Sequence, residues 1–266
     1  MSDPALKPTG YYANDRADLV AALPRPVGRV LDVGCGQGAV GLGLRAAGAT
    51  WLAGIEMQPS AAAVAEAHYD EIAVGAAETE LEHLTPPFDT ICCYDVLEHM
   101  GDPYTVLRRL LGVASPGARL HVSVPNARHV SLMRDLVLRG TFGYTEWGHR
   151  DSTHLRWFTR RDIVASIADA GWAEPRTSHP VLHRAAPLDR LTRGRSTEFL
   201  VGQWYVLATK PGSTDSRGAP PPHAGASAHR PSSEGNHPED ARPAAAGLAC
   251  DAGASTDDRS IQAKPA

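Results

Sequence analysis

The segment Val30-Leu31-Asp32-Val33-Gly34-Cys35-Gly36-Gln37-Gly38 constrains this chain more than any other. An apolar, β-branched run leads straight into three glycines spaced two apart. Val40, Leu44 and Ala47 then recur at helical spacing, and Gly48 follows. That order predicts a buried strand, a tight turn and a helix. Glycines in the turn permit positive φ and let the main chain approach a ligand closely. Ligands of open α/β sheets bind beyond the carboxyl ends of the strands. Glu56 ends the next β-rich run, Trp51 to Glu56, where a carboxylate can accept both hydrogen bonds of a ribose diol.

The alternation continues along the chain. Asn14 reads as the N-cap of a helix reaching Leu23. A second helix is predicted over Ser60 to Tyr69. Ile72 to Val74, Phe88 to Tyr94 and Arg119 to Val124 read as strands. Val106, Leu107, Leu110 and Leu111 mark one later helix, and Ile163, Val164 and Ile167 another. Two late strands, near Thr177 to Leu182 and Phe199 to Thr209, are expected to return as an antiparallel hairpin. The class is therefore α/β, with a mostly parallel seven-stranded sheet flanked by helices. Segment 126–159 fits neither period and carries aromatic, His and Arg residues, so it reads as an insertion over the site.

The predicted domain covers residues 1–210. From Pro211 onward, 34 of 56 residues are Pro, Gly, Ala or Ser, with no Phe, Trp, Tyr, Val or Met. Such a segment buries too little apolar surface to offset its ordering entropy, and 211–266 is predicted to be a disordered tail. A formal charge of −4 gives no basic excess, which argues against a nucleic-acid partner. Cys35, Cys92, Cys93 and Cys250 fit neither a disulfide framework nor a zinc pattern, favouring a reducing compartment. Met1 to Gly10 has no apolar core of signal-peptide length, and no run reaches the ~18 apolar residues of a membrane helix. The expectation is a cytoplasmic protein without a membrane partner; oligomeric state stays open.

Two ligand classes suit the glycine turn. Gly34-x-Gly36-x-x-Ala39, with Glu56 some way beyond, matches a loose dinucleotide fingerprint and leaves a nicotinamide-dependent oxidoreductase as the alternative. Asp32 points the other way, because a carboxylate beside the turn repels a pyrophosphate and attracts an ammonium. Gly38 also makes the spacing G-x-G-x-G.

Val30 to Gly38 resembles the first motif of the class I S-adenosylmethionine methyltransferases, and Glu56 resembles that family's acidic ribose ligand. Phe88 to Pro103 (F-D-T-I-C-C-Y-D-V-L-E-H-M-G-D-P) resembles its fourth-strand segment, in the subgroup with a D-V-L-E-H box. Asp151 to Thr159 is similar to strings in relatives linked with saccharide or secondary-metabolite pathways. The resemblance runs from about Tyr11 to Thr209. It implies a Rossmann-like fold and S-adenosylmethionine as methyl donor. Gly34, Gly36 and Gly38 would cradle the donor's amino-acid part, Asp32 would hold its ammonium through water, and Asp95 would lie near the methionyl moiety. Ala76 stands where many relatives carry an Asp facing adenine, so that contact passes to backbone groups near Ala77 or to Glu78. Tyr11 and Tyr12 sit where relatives close over the donor, and Arg16 is within range of its carboxylate.

Transfer to a hydroxyl needs a group that takes the proton, and His suits neutral pH. His154 is the first candidate base and His99 the second; either also reads as a structural brace. Asp151 would orient His154 or hold Arg156, and His149 is a further candidate. Arg150 and Arg156 would clamp an acidic group on the acceptor, or pair with Asp151 or Glu146. Asp95 and Asn126 supply part of a metal-binding oxygen set but no trio, so no metal is expected. The implied activity is methylation of a hydroxyl or amine on a small molecule such as a sugar or secondary metabolite. A non-catalytic protein that binds the same donor is the remaining alternative.

Overall fold

A computed structural model describes residues 14–180 and 191–212. Tyr11, Tyr12, the far end of the run toward Leu182 and nearly all of the 211–266 tail lie outside the described residues. Seven strands form one sheet in the order β3-β2-β1-β4-β5-β7-β6. They are β1 Gly28–Val33, β2 Ala49–Glu56, β3 Glu71–Val74, β4 Phe88–Tyr94, β5 Ala114–Pro125, β6 Ala173–Ser178 and β7 Gln203–Thr209. The first five run parallel, and β7 is antiparallel to both β5 and β6. The expected Rossmann-like sheet and its antiparallel return are thus both present.

Strand order reverses between β1 and β4, which pair directly, Asp32 opposite Cys92 and Val33 opposite Cys93. At such a switch point the connections leave in opposite directions and open a crevice at the carboxyl ends. The glycine turn after β1 and Asp95 after β4 therefore stand side by side. Both faces of these strands are buried, as a covered parallel sheet requires. Leu31, Val33, Ile91 and Cys93 face one core, Val30 and Cys92 the other. Among the described residues no helix is long and apolar enough to cross a membrane.

The helices follow local chemistry. α1 (Ala17–Ala22) starts at Arg16, whose φ is 41°. The N-cap expected of Asn14 is corrected: the N-cap is Arg16, and the Asn14 Oδ1, two residues before it, accepts from Arg16 N at 3.3 Å. α2 (Ala39–Ala46) follows the glycine turn, and α3 (Pro59–Ala65) ends well before Tyr69, which is drawn beneath the sheet. α4 (Ala77–Glu80) is a single turn. α5 (Pro103–Val113) is capped by the Asp102 carboxylate, which accepts from Thr105 N. α6 (Val130–Arg139) lies inside segment 126–159 and was not foreseen. It buries Leu132 and Asp135, while Leu136, Val137 and Leu138 are exposed. α7 (Arg160–Asp169) begins with a reciprocal capping box between Thr159 and Asp162, and α8 (Thr197–Leu200) precedes β7.

Phe88 is fully buried at the start of β4. Phe88→Ala is expected to lower unfolding free energy by ~3–5 kcal/mol, measured by urea denaturation.

Candidate active site

Gly34, Gly36 and Gly38 have φ of 77°, 55° and 87°, so the turn after β1 needs left-handed backbone at each. At Gly34 space is short as well, because a Cβ there would fall 2.6 Å from Val96 Cγ2. The amides of Gly34 and Cys35 donate to the Ile55 carbonyl at 2.8 and 3.1 Å, pinning the turn to β2. Glu56, nearly buried, accepts from Gly36 N at 2.9 Å through Oε2 and from Gln58 N at 2.8 Å through Oε1. Each carboxylate oxygen keeps a second lone pair.

Asp32 lies beneath the glycine turn, held by Tyr69, whose ring stands against Gly38 and Gly41. Its Oδ2 accepts from the Tyr69 hydroxyl at 2.6 Å, deep in the second core. Burial pushes its carboxyl up to about 7, against the Tyr69 hydrogen bond and with the Glu56 charge adding to the rise. Among the described residues no cationic side chain forms an ion pair with Asp32 or Glu56. Two buried carboxylates around a cation-free glycine turn fit a ligand that brings its own positive charge and hydroxyl donors.

Asp95 stands beyond β4 with φ 50°. It is ion-paired with the buried Arg16 guanidinium. Its Oδ1 accepts from Ser123 Oγ and Gln203 Nε2, each at 2.9 Å. Arg16 also donates to Gln203 Oε1 at 3.0 Å. This network ties α1, β4, β5 and β7 together at the crevice. Ser123 and Gln203 escaped the sequence reading, because nothing in their spacing links them to Asp95.

The D-V-L-E-H box forms a single 3-10 turn, Leu97–His99. Glu98 is 1% exposed, and neither of its carboxylate oxygens has a hydrogen-bond partner. Burial pushes its carboxyl up to about 8. Segment 153–156 comes alongside: Leu155 N and Arg156 N both donate to the Glu98 carbonyl, at 2.8 and 3.0 Å. The rings of His99 and His154 meet edge to face with centroids 4.7 Å apart. The two candidate bases thus share one place. Thr153 Oγ1 donates to Asp151 Oδ1 at 2.7 Å, which uses its only proton. His99 Nδ1 lies 3.1 Å from the same hydroxyl oxygen, so Thr153 bridges the carboxylate and the ring. Asp151 accordingly acts on His99 through Thr153. Glu98, His99 and His154 each present a ligand atom, all within 4.8 Å of one another.

Other expected residues make contacts within the insertion and to its neighbours. Arg150 Nη1 donates to Asp135 Oδ2 at 2.9 Å and to the Phe142 carbonyl at 3.3 Å, inside the insertion. Arg156 donates to the carbonyls of Leu155 and Gly101. His149 Nε2 binds the Gly202 carbonyl at 2.7 Å and its ring stacks on His129. Asn126, part of the incomplete oxygen set, is buried, and its amide donates to the carbonyls of Glu198 and Val201 at 3.0 and 2.8 Å. Ala77 is buried at the first turn of α4, beside Gly75 with φ 151°.

Residues 9–173 match a family described as a methyltransferase domain. Over 104 residues the chain is 36% identical to a ubiquinone biosynthesis O-methyltransferase of Pseudomonas fluorescens, a stretch covering 37% of this chain and 44% of the relative. The chain thus spans under half the length of the curated relatives it matches. A SAM-dependent methyltransferase from Archaeoglobus fulgidus superposes with TM-score 0.53 at 14% identity, covering 70% of this chain and 87% of that one. Magnesium protoporphyrin IX methyltransferase from Synechocystis PCC 6803 gives 0.51 at 20% identity, covering 73% and 79%. At these identities the likeness is one of fold.

Folding lifts the Asp32 carboxyl from the ordinary range near ~3.9 to about 7. The native state then holds a proton that the unfolded chain has released between those values. Its contribution to stability is full below about pH 4 and is lost as pH rises toward 7. Asp32→Asn is expected to lose less stability than the wild type between pH 5 and pH 7.5 in urea unfolding. Equal losses would place the titration in another group.

Proposed function

Because this chain belongs to the methyltransferase-domain family, we propose that it transfers the methyl group of S-adenosylmethionine to a hydroxyl of a small molecule. That membership removes the nicotinamide reading of the glycine turn. The observation that carries the proposal is the pinned turn of three left-handed glycines between the cation-free carboxylates Asp32 and Glu56.

The donor supplies a methyl made electrophilic by its positive sulfur. The chain binds and orients it. Glu56 takes the ribose hydroxyls on its remaining lone pairs. The turn at Gly34, Gly36 and Gly38 admits the amino-acid part to van der Waals contact with the main chain. Asp32, held by Tyr69, supplies negative charge beneath the ammonium. Backbone groups at Ala77 meet the adenine, and Asp95, fixed by Arg16, Ser123 and Gln203, borders the methionyl moiety. In-line displacement then depends on aligning the acceptor oxygen with the S–CH₃ bond and excluding water. The Glu98, His99 and His154 cluster receives the acceptor hydroxyl. In the simplest form His154 takes its proton, with His99 second.

Oxygen is favoured over nitrogen as acceptor because the relatives at 36% identity are named O-methyltransferases. Their link to ubiquinone biosynthesis also favours a quinone- or phenol-type acceptor over the sugar expected from the Asp151 to Thr159 string. The insertion supports this with clustered aromatic rings: Phe142 lies 4.8 Å from Tyr144 and 5.5 Å from Trp157. We assign catalysis to domain 1–210, acceptor contacts to 126–159, where Arg150 and Arg156 border the acceptor, and a separate tail to 211–266.

Calorimetric titration with S-adenosylhomocysteine and, separately, NAD tests the donor site. Micromolar binding of the first alone is expected. Glu56→Ala should weaken it ~10²–10⁴-fold, since hydrogen bonds to a charged group contribute ~1.5–3 kcal/mol each and two are lost. Unchanged affinity in the variant would remove Glu56 from the site. In turnover assays with phenolic acceptors, His154→Ala is expected to slow methyl transfer ~10²–10⁴-fold. Full activity in both His154→Ala and His99→Ala would sink the assignment of proton removal to this cluster. Donor binding with no turnover on any acceptor would favour the non-catalytic alternative.

A further inference from the structure

We propose that Glu98, His99 and His154 form a binding site for a divalent transition-metal cation at the acceptor side of the crevice. The site itself is inferred from the chain's own residues; only its use in catalysis rests on the methyl-transfer reading.

Three observations converge. One ligand atom from each residue lies within 4.8 Å of the others. Nitrogen and oxygen ligands at ~2.0–2.2 Å from a cation stand ~3–3.6 Å apart, so small side-chain rotations close the set. Glu98 is 1% exposed with both oxygens unpartnered. A buried carboxylate left so is costly, and a cation bound to it removes the deficit. Finally, the Asp151–Thr153–His99 chain ties the Nδ1 side of the His99 ring to a carboxylate. A carboxylate that orients an imidazole through its second nitrogen is the arrangement that supports metal-bound His elsewhere.

Ligand chemistry narrows the ion. Two imidazoles and one carboxylate suit Zn²⁺, Mn²⁺, Co²⁺ or Fe²⁺ and disfavour Mg²⁺ and Ca²⁺, which prefer all-oxygen shells. Three protein ligands leave coordination positions open. Place in the fold gives those positions a use. Glu98 and His99 follow Asp95 on the β4 loop, and His154 is fastened to them by the amides of Leu155 and Arg156. An acceptor hydroxyl bound to the cation becomes more acidic. Its proton leaves to solvent, and the oxygen pair forms the new bond to the methyl carbon. The C–S bond breaks with its electrons on sulfur, giving a neutral thioether. The imidazoles then act as ligands, and the cation does the work otherwise given to His154 as base. The expectation of no metal arose from seeking an oxygen trio through Asn126. The imidazoles lie far apart in sequence and no spacing pattern joins them.

The test uses the full, untagged chain after chelator treatment. Co²⁺ is titrated in while visible absorption is followed, and Zn²⁺ binding is measured by calorimetry. One equivalent per chain with cobalt d–d bands is expected. Glu98→Gln and His154→Ala should each lower affinity at least 10-fold, and Thr153→Ala ~10-fold through loss of the His99 support. S-adenosylhomocysteine affinity in the same variants reports that they are folded. No uptake by the wild type, or equal uptake by folded Glu98→Gln and His154→Ala, would overturn the site. Cobalt binding together with failure to bind S-adenosylhomocysteine would instead refute the methyl-transfer reading and leave the cation site standing.

Discussion

Two hydrogen bonds, from the Gly34 and Cys35 amides to the Ile55 carbonyl, hold the end of β1 against the end of β2. The rest of the site depends on that junction. It sets the glycine turn at the height of Glu56, whose carboxylate then reaches Gly36 and completes the clasp. It also fixes where α2 begins, and so which side of the sheet stays open. The β1–β4 pairing carries the same reference frame across the switch point to Asp95 and the box that follows. A shift of one residue in either junction would turn Asp32 to the opposite face and separate the two carboxylates.

Charge gives the crevice its character. Asp32, Glu56 and Glu98 are buried, and among the described residues only Asp95 near them has an arginine partner. Buried carboxylates are a standing destabilisation in the free protein. Proteins keep such local conflicts where function requires them. Here the conflict falls on opposite sides of one cleft, beneath the proposed donor and beside the proposed acceptor. Positive charge arriving with ligands would relieve both, which links occupancy to stability.

Legibility from sequence followed distance along the chain. The glycine turn, Glu56 and the boundaries of β4 were readable because each is local: three glycines in five residues, an acid at a strand end, an apolar run flanked by polar residues. The parallel sheet followed from alternation alone. Residues joined only by the fold were not readable. Asp32 is legible beside the turn because it directly precedes it, but its buried partner Tyr69, 37 residues on, is not. Arg16, Ser123 and Gln203 converge on Asp95 from three separate elements. His99 and His154 were each singled out, but their meeting was not. The helix Val130–Arg139 buries only Leu132 and Asp135, and the polar, aromatic character of 126–159 as a whole outweighs its local spacing.

The fastening between the β4 loop and the insertion is made by main-chain atoms alone, Leu155 N and Arg156 N to Glu98 O. Any residue except proline at positions 155 and 156 can supply those donors. Side chains along 126–159 are thereby released from the duty of holding the insertion in place at this point. Under the acceptor role proposed for 126–159, drift in that segment re-addresses one chemistry to new molecules while His154 keeps its station and the scaffold stays as it is.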